Sequence, residues 1–336
     1  MRINNNEIYV IAEMASAHQG SIKKVYQLID SAIECKANCI QVQIFNLNAN
    51  ASVRSKNYEV LKKLEISLSD WSKVLNYLEK KNIDYSVFTY DEPSLEFVLE
   101  NYKPNLIKFN SSEISNPNML NLIAKFKNIP LNLGTGGSTI LEIERAVKFL
   151  NKNKFNNIFL AHGLQNFPTE IKNINFPKLK QIMKLFEYET IFCDHTDFRS
   201  VNHQFIDYVA LGLGVKIFEK HIILENNSKY IDNESSLNVK NFKSYIENLR
   251  LVSQSLITNS SIKISERNYR KFQKKSTFIN KDLPKNHILT IQDVEFKRDV
   301  GNIEGIDPLN YMENFIGKIT SRKIKKSSKL KIKDIK

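Results

Sequence analysis

Eight short apolar runs, YVIAEM, CIQVQIF, YSVFTY, LIKFNS, IPLNLGT, NIFLAHG, TIFCDH and VKIFEKH, recur between Tyr9 and His221. Runs of this length, too short for helices and too continuous for half-exposed strands, read as strands buried on both faces. The patterns between them repeat at helical spacing. They predict helices over Ile22 to Glu34, Ser69 to Lys81, Ser94 to Asn101, Pro117 to Phe126, Ile140 to Leu150, Pro177 to Phe186, Val201 to Leu211 and Val239 to Ser255. Strand and helix thus alternate eight times. Buried strands with crossover helices imply a parallel sheet, and eight such units close most naturally as a (β/α)8 TIM barrel.

Beyond Leu256 the texture changes to TNSSIKISERNYRKFQKKS, polar and without apolar periodicity, which predicts a linker over 258–275. Residues 276–336 then show short alternating segments with turns at Leu283-Pro284 and Lys326 to Ser328, the pattern of a small β-rich domain. The total length of 336 residues agrees with this division, since a barrel takes roughly 250 residues. The expected domains are therefore a barrel over 1–257, the linker and the terminal module.

Composition narrows the function classes. No apolar run approaches the ~18 residues of a membrane span, and the amino-terminal stretch, with Glu13 inside it, does not resemble a secretory signal. A soluble, cytoplasmic protein without a membrane partner is expected. Cys35, Cys39 and Cys193 are too few and too irregular for a disulfide framework or zinc knuckle. The 49 basic residues outnumber the 36 acidic ones, but they are spread over every segment, mostly as surface-spaced lysine. With no nucleic-acid-binding motif beside them, they indicate a solvated surface and no nucleic-acid partner. Anionic small substrates suit the balance.

In barrel enzymes the chemistry sits at the carboxyl ends of the strands, and this chain is rich in polar residues there. Glu13 ends the first strand and Gln43 lies in the second. Lys108, Ser111 and Glu113 follow from the fourth, Thr135 from the fifth, His162 from the sixth, Asp194-His195-Thr196 from the seventh and Glu219-Lys220-His221 from the eighth. Each alone has an ordinary structural explanation, a buried polar group or a helix cap. His195 and His221 end adjacent strands, which lie ~5 Å apart, near enough for two imidazoles to share a divalent ion. Two imidazoles and no thiolate leave positions for water and substrate oxygen, so Mn2+ or Mg2+ fits better than structural zinc. Asp194 is a candidate to orient an imidazole, with a strand-end cap as the alternative. Lys108, Ser111, Thr135 and the Gly134 to Ser138 turn before a helix form a candidate phosphate cradle.

At these residues the sequence resembles the N-acetylneuraminate (sialic acid) synthase family, which includes legionaminate and pseudaminate synthases. The matching segments are IAEMASAHQG, QVQIF, KLEISLSDW, IKFNSSEISNPNMLNLIAK, LGTGGSTILEIERAV, HGLQNFPT, CDHT and VALGLGVKIFEKHI, with GKI and KIKDI at the end. The resemblance implies condensation of phosphoenolpyruvate with an open-chain N-acylated hexosamine aldehyde, giving a nonulosonic acid and phosphate. His195 and His221 match the metal ligands and Glu13 the acidic residue beside the reacting centre. Lys108, Ser111 and Thr135 match phosphoenolpyruvate contacts; Glu113 and Asp232 fall where sugar hydroxyls are held, and Gln43 and His162 join the substrate-binding set. The terminal module is similar to the SAF (antifreeze-like) domain, which in that family reaches across a domain-swapped homodimer, and Arg298 matches the arginine that it offers to the sugar N-acyl group.

The chain departs from the family pattern at Ala17-His18 (usually Asn-His), at Gln41 (usually lysine), at Val87 to Tyr90 (an STPF-like segment), at Phe167 (tyrosine) and at Arg298-Asp299-Val300 (Arg-Pro-Gly). The neutral Gln41 is expected to weaken the grip on phosphoenolpyruvate, because an amide donates hydrogen bonds but supplies no countercharge. Two other readings compete: a catalytically degenerate barrel that serves as a binding or scaffold partner in surface-polysaccharide synthesis, and another aldolase-type barrel enzyme, since fold alone does not fix function.

Overall fold

The computed structural model describes residues 7–200, 203–227, 229–256, 261–298 and 305–336. They divide into two compact units, residues 1–257 and 258–336.

The first unit carries strands β1 (Tyr9–Glu13), β2 (Cys39–Ile44), β3 (Asp84–Thr89), β4 (Leu106–Phe109), β5 (Leu131–Gly134), β6 (Ile158–His162), β7 (Thr190–Asp194) and β8 (Ile217–Ile223). Each pairs in parallel with the next, and β8 pairs back onto β1, with Glu13 opposite His221, so the sheet is a closed eight-stranded barrel. A short strand β9 (Ser236–Asn238) adds to β8. Helices Ile22–Glu34, Leu68–Lys81, Glu92–Asn101, Pro117–Ile123, Ile140–Lys152, Phe176–Leu185, His203–Gly212 and Val239–Ser253 follow the successive strands. Their boundaries are set locally. The Ser67 hydroxyl accepts from the Asp70 amide to start one helix, the left-handed Asn82 stops it, and Thr139 with Glu142 forms a reciprocal capping box for another.

Alternation along the strands sorts side chains into two cores. One face packs against the helices, with Val10, Val42, Val87, Ile107, Phe109 and Phe218 among its fully buried members. The other face fills the barrel. At the amino-terminal half this filling is apolar: Tyr9, Ile11, Cys39, Leu106, Ala161, Ile191, Cys193 and Ile217 form one cluster. Continuing each strand by two residues brings Glu13, Gln41, Lys108 and Glu219 into the same lumen, so an apolar plug carries a polar layer above it. All three cysteines are buried free thiols.

Between β2 and β3 the barrel inserts two further helices, Leu47–Asn50 and Tyr58–Leu64, which the apolar periodicity does not predict because both are shorter than the window over which a helical period registers. The stretch expected to be a plain linker holds a helix, Ile264–Gln273, none of whose residues is buried. Its apolar residues Ile264, Tyr269 and Phe272 lie toward one side but are exposed and outnumbered by polar neighbours, so the stretch reads as polar; the Glu266 carboxylate accepting from the Lys263 amide supports its first turn. Residues 258–260 of that stretch, the first two residues of the helix predicted from Val201, and Asp299-Val300 lie outside the described residues.

The second unit has an antiparallel pair, β10 (Lys275–Ile279) with β11 (Val294–Arg298), isolated antiparallel bridges such as Leu283 with Ile324 and Ile288 with Ile319, and a helix Pro308–Asn314. Ile279, Leu283, Leu289, Val294, Ile306, Tyr311, Ile324 and Leu330 give it a core of its own. Buried Asp293 accepts from the Thr290 amide and hydroxyl and from His287 Nε2, tying the loop ahead of β11.

Where β6 leaves the barrel, a Cβ added to Gly163 would sit 2.4 Å from the Cys193 carbonyl oxygen and 2.7 Å from its Cβ. Both atoms belong to a barrel strand, so neither yields cheaply. Gly163→Ala is expected to cost about 1–3 kcal/mol by overpacking, measured as a lower urea midpoint with unchanged slope.

Candidate active site

The carboxyl ends of the strands surround a cavity of about 320 Å³. Its floor is the polar layer of the lumen. Lys108 from β4 pairs with Glu219 from β8 across the barrel, both buried, and the Lys108 ammonium also lies 4.6 Å from the centre of the Phe88 ring. Gln41 donates to the second oxygen of Glu219 at 3.1 Å and accepts from Ser86 Oγ at 2.8 Å. The Gln41 amide is fully buried, its oxygen and one N–H are committed to Ser86 and Glu219, and it is not among the residues that line the cavity.

Glu13 stands at the cavity wall. Its Oε1 accepts from the Ala15 amide (2.8 Å) and from Gln43 Nε2 (3.0 Å), whereas buried Oε2 has no partner in the protein. Gln43 in turn accepts from the Tyr90 hydroxyl. Burial raises the Glu13 carboxyl above the ordinary carboxylate range; Lys108 pulls it down, Glu219 pushes it up, and burial dominates. A carboxyl in a cavity wall that keeps its proton near neutrality and has an oxygen without a protein partner is suited to give or take a proton.

His195, immediately after β7, and His221, within β8, face the same cavity with ring centres 5.0 Å apart, and the Phe167 ring packs against both. The Leu164 carbonyl can only accept, so His195 Nδ1, 2.8 Å away, carries the hydrogen and Nε2 keeps its lone pair. His221 Nδ1 is buried without a partner. Burial pushes both imidazoles below their ordinary value, and for His221 the neighbouring His195, Lys108 and Lys220 add to the effect. Two neutral imidazoles, one oriented by a backbone carbonyl and one with a spare buried nitrogen, fit a divalent cation. Among the described residues no group of three or more His, Cys, Asp or Glu side chains converges in a metal-holding arrangement, so a cation here would keep most of its positions for water or substrate.

Asp194 and Lys220 alternate with these histidines and therefore point the other way, into the helix layer. Lys220 pairs with Asp194 and, at 3.5 Å, with Asp207 on helix His203–Gly212; Thr196 donates to Asp194 and the Tyr245 hydroxyl donates to Asp207. All three charges are at most 2% exposed. Asp194 touches neither imidazole; of the two alternatives for it, orienting a histidine and capping the strand end, the geometry supports the second, with Lys220 as its countercharge. Burial raises Asp194, but Lys220 and Thr196 outweigh it and hold its carboxyl below the ordinary range, while at Asp207, farther from the ammonium, burial prevails and the carboxyl is raised.

Of the residues singled out from sequence, Glu13, Gln43, Lys108, His195, His221 and Asp232 line one cavity. Asp232, in a left-handed conformation (φ 60°), faces Ser16 from the loop after β8. Ser111 and Glu113 lie just outside: the Ser111 hydroxyl donates to Asn110 Oδ1, and Glu113 accepts from Asn116 and borders an adjoining depression that shares Asn50 and Tyr90 with the cavity. Thr135 is fully buried with its amide and hydroxyl both spent on the Ala161 carbonyl. His162 points out of the barrel, its Nε2 donating to the Asn175 carbonyl at 3.2 Å. Arg298 ends β11, exposed, in the second unit. The residues that sequence reasoning passed over are Glu219 as the partner of Lys108, His18, and the wall formed by helix Tyr58–Leu64. Glu219 was within reach, since it lies two positions before His221 on the same strand face.

The family model for the NeuB family matches residues 28–261, well over half of the chain. This chain belongs to the NeuB family. Among its relatives is the N,N'-diacetyllegionaminic acid synthase of Campylobacter jejuni, 27% identical over 335 residues that cover 94% of this chain and 96% of that protein. The human N-acetylneuraminate-9-phosphate synthase is 26% identical, covering 92% and 88% respectively. Among solved structures, the N-acetylneuraminic acid (sialic acid) synthetase of Leptospira borgpetersenii superposes with a TM-score of 0.72 at 24% identity, over 80% of this NeuB-family chain and 92% of the other, and so shares its fold.

Removing Lys220 would leave two carboxylates buried without a cation. Lys220→Met is therefore expected to lower stability by about 3–5 kcal/mol, as when one partner of a buried pair is deleted, whereas Tyr245→Phe, which removes one hydrogen bond, should cost about 1 kcal/mol. Denaturant titration of both variants compares the two losses.

Proposed function

We propose that this NeuB-family chain condenses phosphoenolpyruvate with the aldehyde form of an N-acylated hexosamine, giving a nonulosonic acid and inorganic phosphate. The observation that carries the proposal is the convergence of a free-oxygen carboxyl (Glu13), a buried cation (Lys108) and two neutral imidazoles (His195, His221) on one cavity at the carboxyl end of the barrel. In the reaction, C3 of phosphoenolpyruvate bonds to the aldehyde carbon and the aldehyde oxygen gains a proton. Water then adds at C2, and the C–O bond to phosphate breaks.

Lys108 is placed to pair with an anionic group of phosphoenolpyruvate, its charge moderated by Glu219, whose other oxygen Gln41 holds. Glu13 donates its proton from Oε2 to the aldehyde oxygen as the C–C bond forms. The resulting carboxylate then takes a proton from the water that attacks C2, which restores it. Ala15 and Gln43 fix that carboxyl through Oε1 and leave Oε2 without a partner in the protein. A divalent ion, Mn2+ or Mg2+, would be held by His195 and His221, and when bound it supplies Lewis-acid polarisation of a carbonyl oxygen. Phe167, packed on both rings, excludes water from their buried sides. The second unit is proposed to be an SAF-like domain that completes the sugar end of the site in a domain-swapped homodimer, with Arg298 toward the N-acyl group. A cytoplasmic setting suits the three free thiols.

Coupled detection of phosphate released from phosphoenolpyruvate, with a panel of N-acyl hexosamines and Mn2+, tests the reaction; no release with any acceptor would remove it. Glu13→Gln keeps the shape of the carboxyl but cannot cycle a proton, and kcat is expected to fall about 10²–10⁴-fold. Because the raised Glu13 carboxyl acts first as an acid, wild-type kcat should decline on the alkaline side as that proton is lost. His195→Ala and His221→Ala should each lose Mn2+ in calorimetric titration while remaining folded. Arg298→Ala should raise KM for the sugar with little change in KM for phosphoenolpyruvate, and an unchanged sugar KM would count against the swapped arrangement.

A further inference from the structure

The loop after β1 holds a third imidazole of the cavity wall. His18 lines the cavity that His195 and His221 face and is only 2% exposed, yet no step of the condensation uses it. Its ring is fixed on two sides. The Gly20 amide donates to Nδ1 at 3.0 Å, and buried Trp71 meets the ring edge-on, with centres 6.1 Å apart. A backbone N–H can only donate, so Nδ1 keeps its lone pair, and burial pushes the imidazole down to about 4, which leaves it neutral near pH 7. A neutral ring carries one hydrogen, and here that hydrogen sits on Nε2. Among the described residues no group accepts it.

The polarity is the reverse of that at His195. There the hydrogen of Nδ1 is spent on the Leu164 carbonyl and Nε2 keeps a lone pair, the form that holds a cation. His18 spends the lone pair of Nδ1 on an amide and keeps an N–H, which holds no cation and can only donate. The chain maintains this arrangement against backbone preference: Ala15 (φ 40°) and Gln19 (φ 49°) occupy the left-handed region that residues with a Cβ rarely adopt, and Gly20 follows at φ 75°. A Cβ on Gly20 would come within 2.2 Å of the Lys63 carbonyl oxygen, so the turn is seated against the helix Tyr58–Leu64.

The same loop narrows what His18 can meet. Its Ala15 amide holds Glu13 and its Ser16 faces Asp232, so the charged cavity groups that this loop touches are carboxyls, whereas the Lys108 ammonium stands on β4. A hydroxyl accepts from an N–H and donates to a carboxyl, and so suits both neighbours; an anion suits only the first. We propose that His18 binds the sugar acceptor, its Nε2–H donating to one of the acceptor's hydroxyl oxygens. The inference rests on the condensation reading and adds a residue to the acceptor's contacts.

Two substitutions in the full-length protein separate the nitrogens. His18→Asn keeps an oxygen where Nδ1 accepts from Gly20 and loses the outer donor, whereas His18→Gln keeps an amide N–H near the place of Nε2 and loses the inner acceptor. Phosphate release with Mn2+, phosphoenolpyruvate and the most active hexosamine of the panel gives both KM values, and urea unfolding of each variant reads the integrity of the loop. His18→Asn is expected to unfold near the wild-type midpoint but to raise KM for the sugar about three- to tenfold, the range for one neutral hydrogen bond, with KM for phosphoenolpyruvate unchanged. His18→Gln should lower the midpoint and keep the sugar KM near the wild-type value. A wild-type sugar KM in His18→Asn, a rise confined to phosphoenolpyruvate, or a sugar KM that rises in both variants in step with lost stability would overturn the inference. Calorimetric titration of N-acetylmannosamine into the three proteins keeps it apart from the condensation reading. If no hexosamine releases phosphate, that reading fails, and the inference stands only if His18→Asn binds this sugar more weakly than the wild type and His18→Gln do.

Discussion

Closure of the sheet is the constraint on which the rest of this molecule depends. Once β8 pairs with β1, each strand residue faces either the lumen or the helix layer, with no third environment. Charges on the strands must then be resolved in one of two closed spaces. On the lumen side this produces the Lys108–Glu219 pair with its Gln41 and Ser86 neighbours; on the helix side it produces Lys220 with Asp194 and Asp207. The two networks occupy opposite faces of the same strand: Glu219 and His221 turn inward while Lys220 between them turns outward. That single alternation places a reactive group and its structural support on consecutive residues.

The lumen network also governs what the floor of the cavity offers a ligand. A lone buried ammonium would be costly, and Glu219 stabilises it at the expense of its net attraction for anions. A second cation in place of Gln41 would leave Glu219 shared between two positive groups and the floor net positive. With glutamine there, the carboxylate is held by a neutral donor, and the pair is balanced. In the proposed reaction, anion binding would accordingly lean on Lys108 and on a cation held by the two neutral histidines, more than on the loop that resembles a phosphate cradle. In that loop Thr135 spends its donors on Ala161, and Lys178 on the Thr135 and Ser138 carbonyls.

The barrel was legible because its signal is local and repeated: apolar runs of strand length, spaced by helical periodicity, with caps such as Ser67 and Thr139 where helices begin. So was the pairing of His195 with His221, which follows from two strand ends being neighbours. Orientation was not legible for residues one step out of phase. His162 is the last residue of its strand, as Glu13 is, yet one faces the helices and the other the cavity, and only the register of the pleat separates them. The helix Tyr58–Leu64 escaped because seven residues do not establish a period, and the helix Ile264–Gln273 because its three exposed apolar residues, Ile264, Tyr269 and Phe272, are too few in a polar segment to mark a core face. Both illustrate that hydrophobic patterning reports burial, and reports structure only as far as structure buries something.

The short helix has the larger consequence, because specificity in a barrel is carried by the connections and not by the strands. The strands of this chain hold Glu13, Lys108, Glu219 and His221, the groups on which the proposed condensation would draw. The β2–β3 connection is free of that demand. Here the helix Tyr58–Leu64 brings Val60, Leu61 and Leu64 to the cavity, with Gly20 close against the Lys63 carbonyl and Glu65 accepting from the Leu47 amide. The neutral amides of Asn50 and Asn57 line the cavity with these apolar side chains, so the connection offers a ligand both apolar contact and hydrogen-bond partners. Where those side chains are apolar, a polar group pressed against them and left without a partner would bear its desolvation cost in full, whereas the polar groups on the strands below are held by interactions that are made.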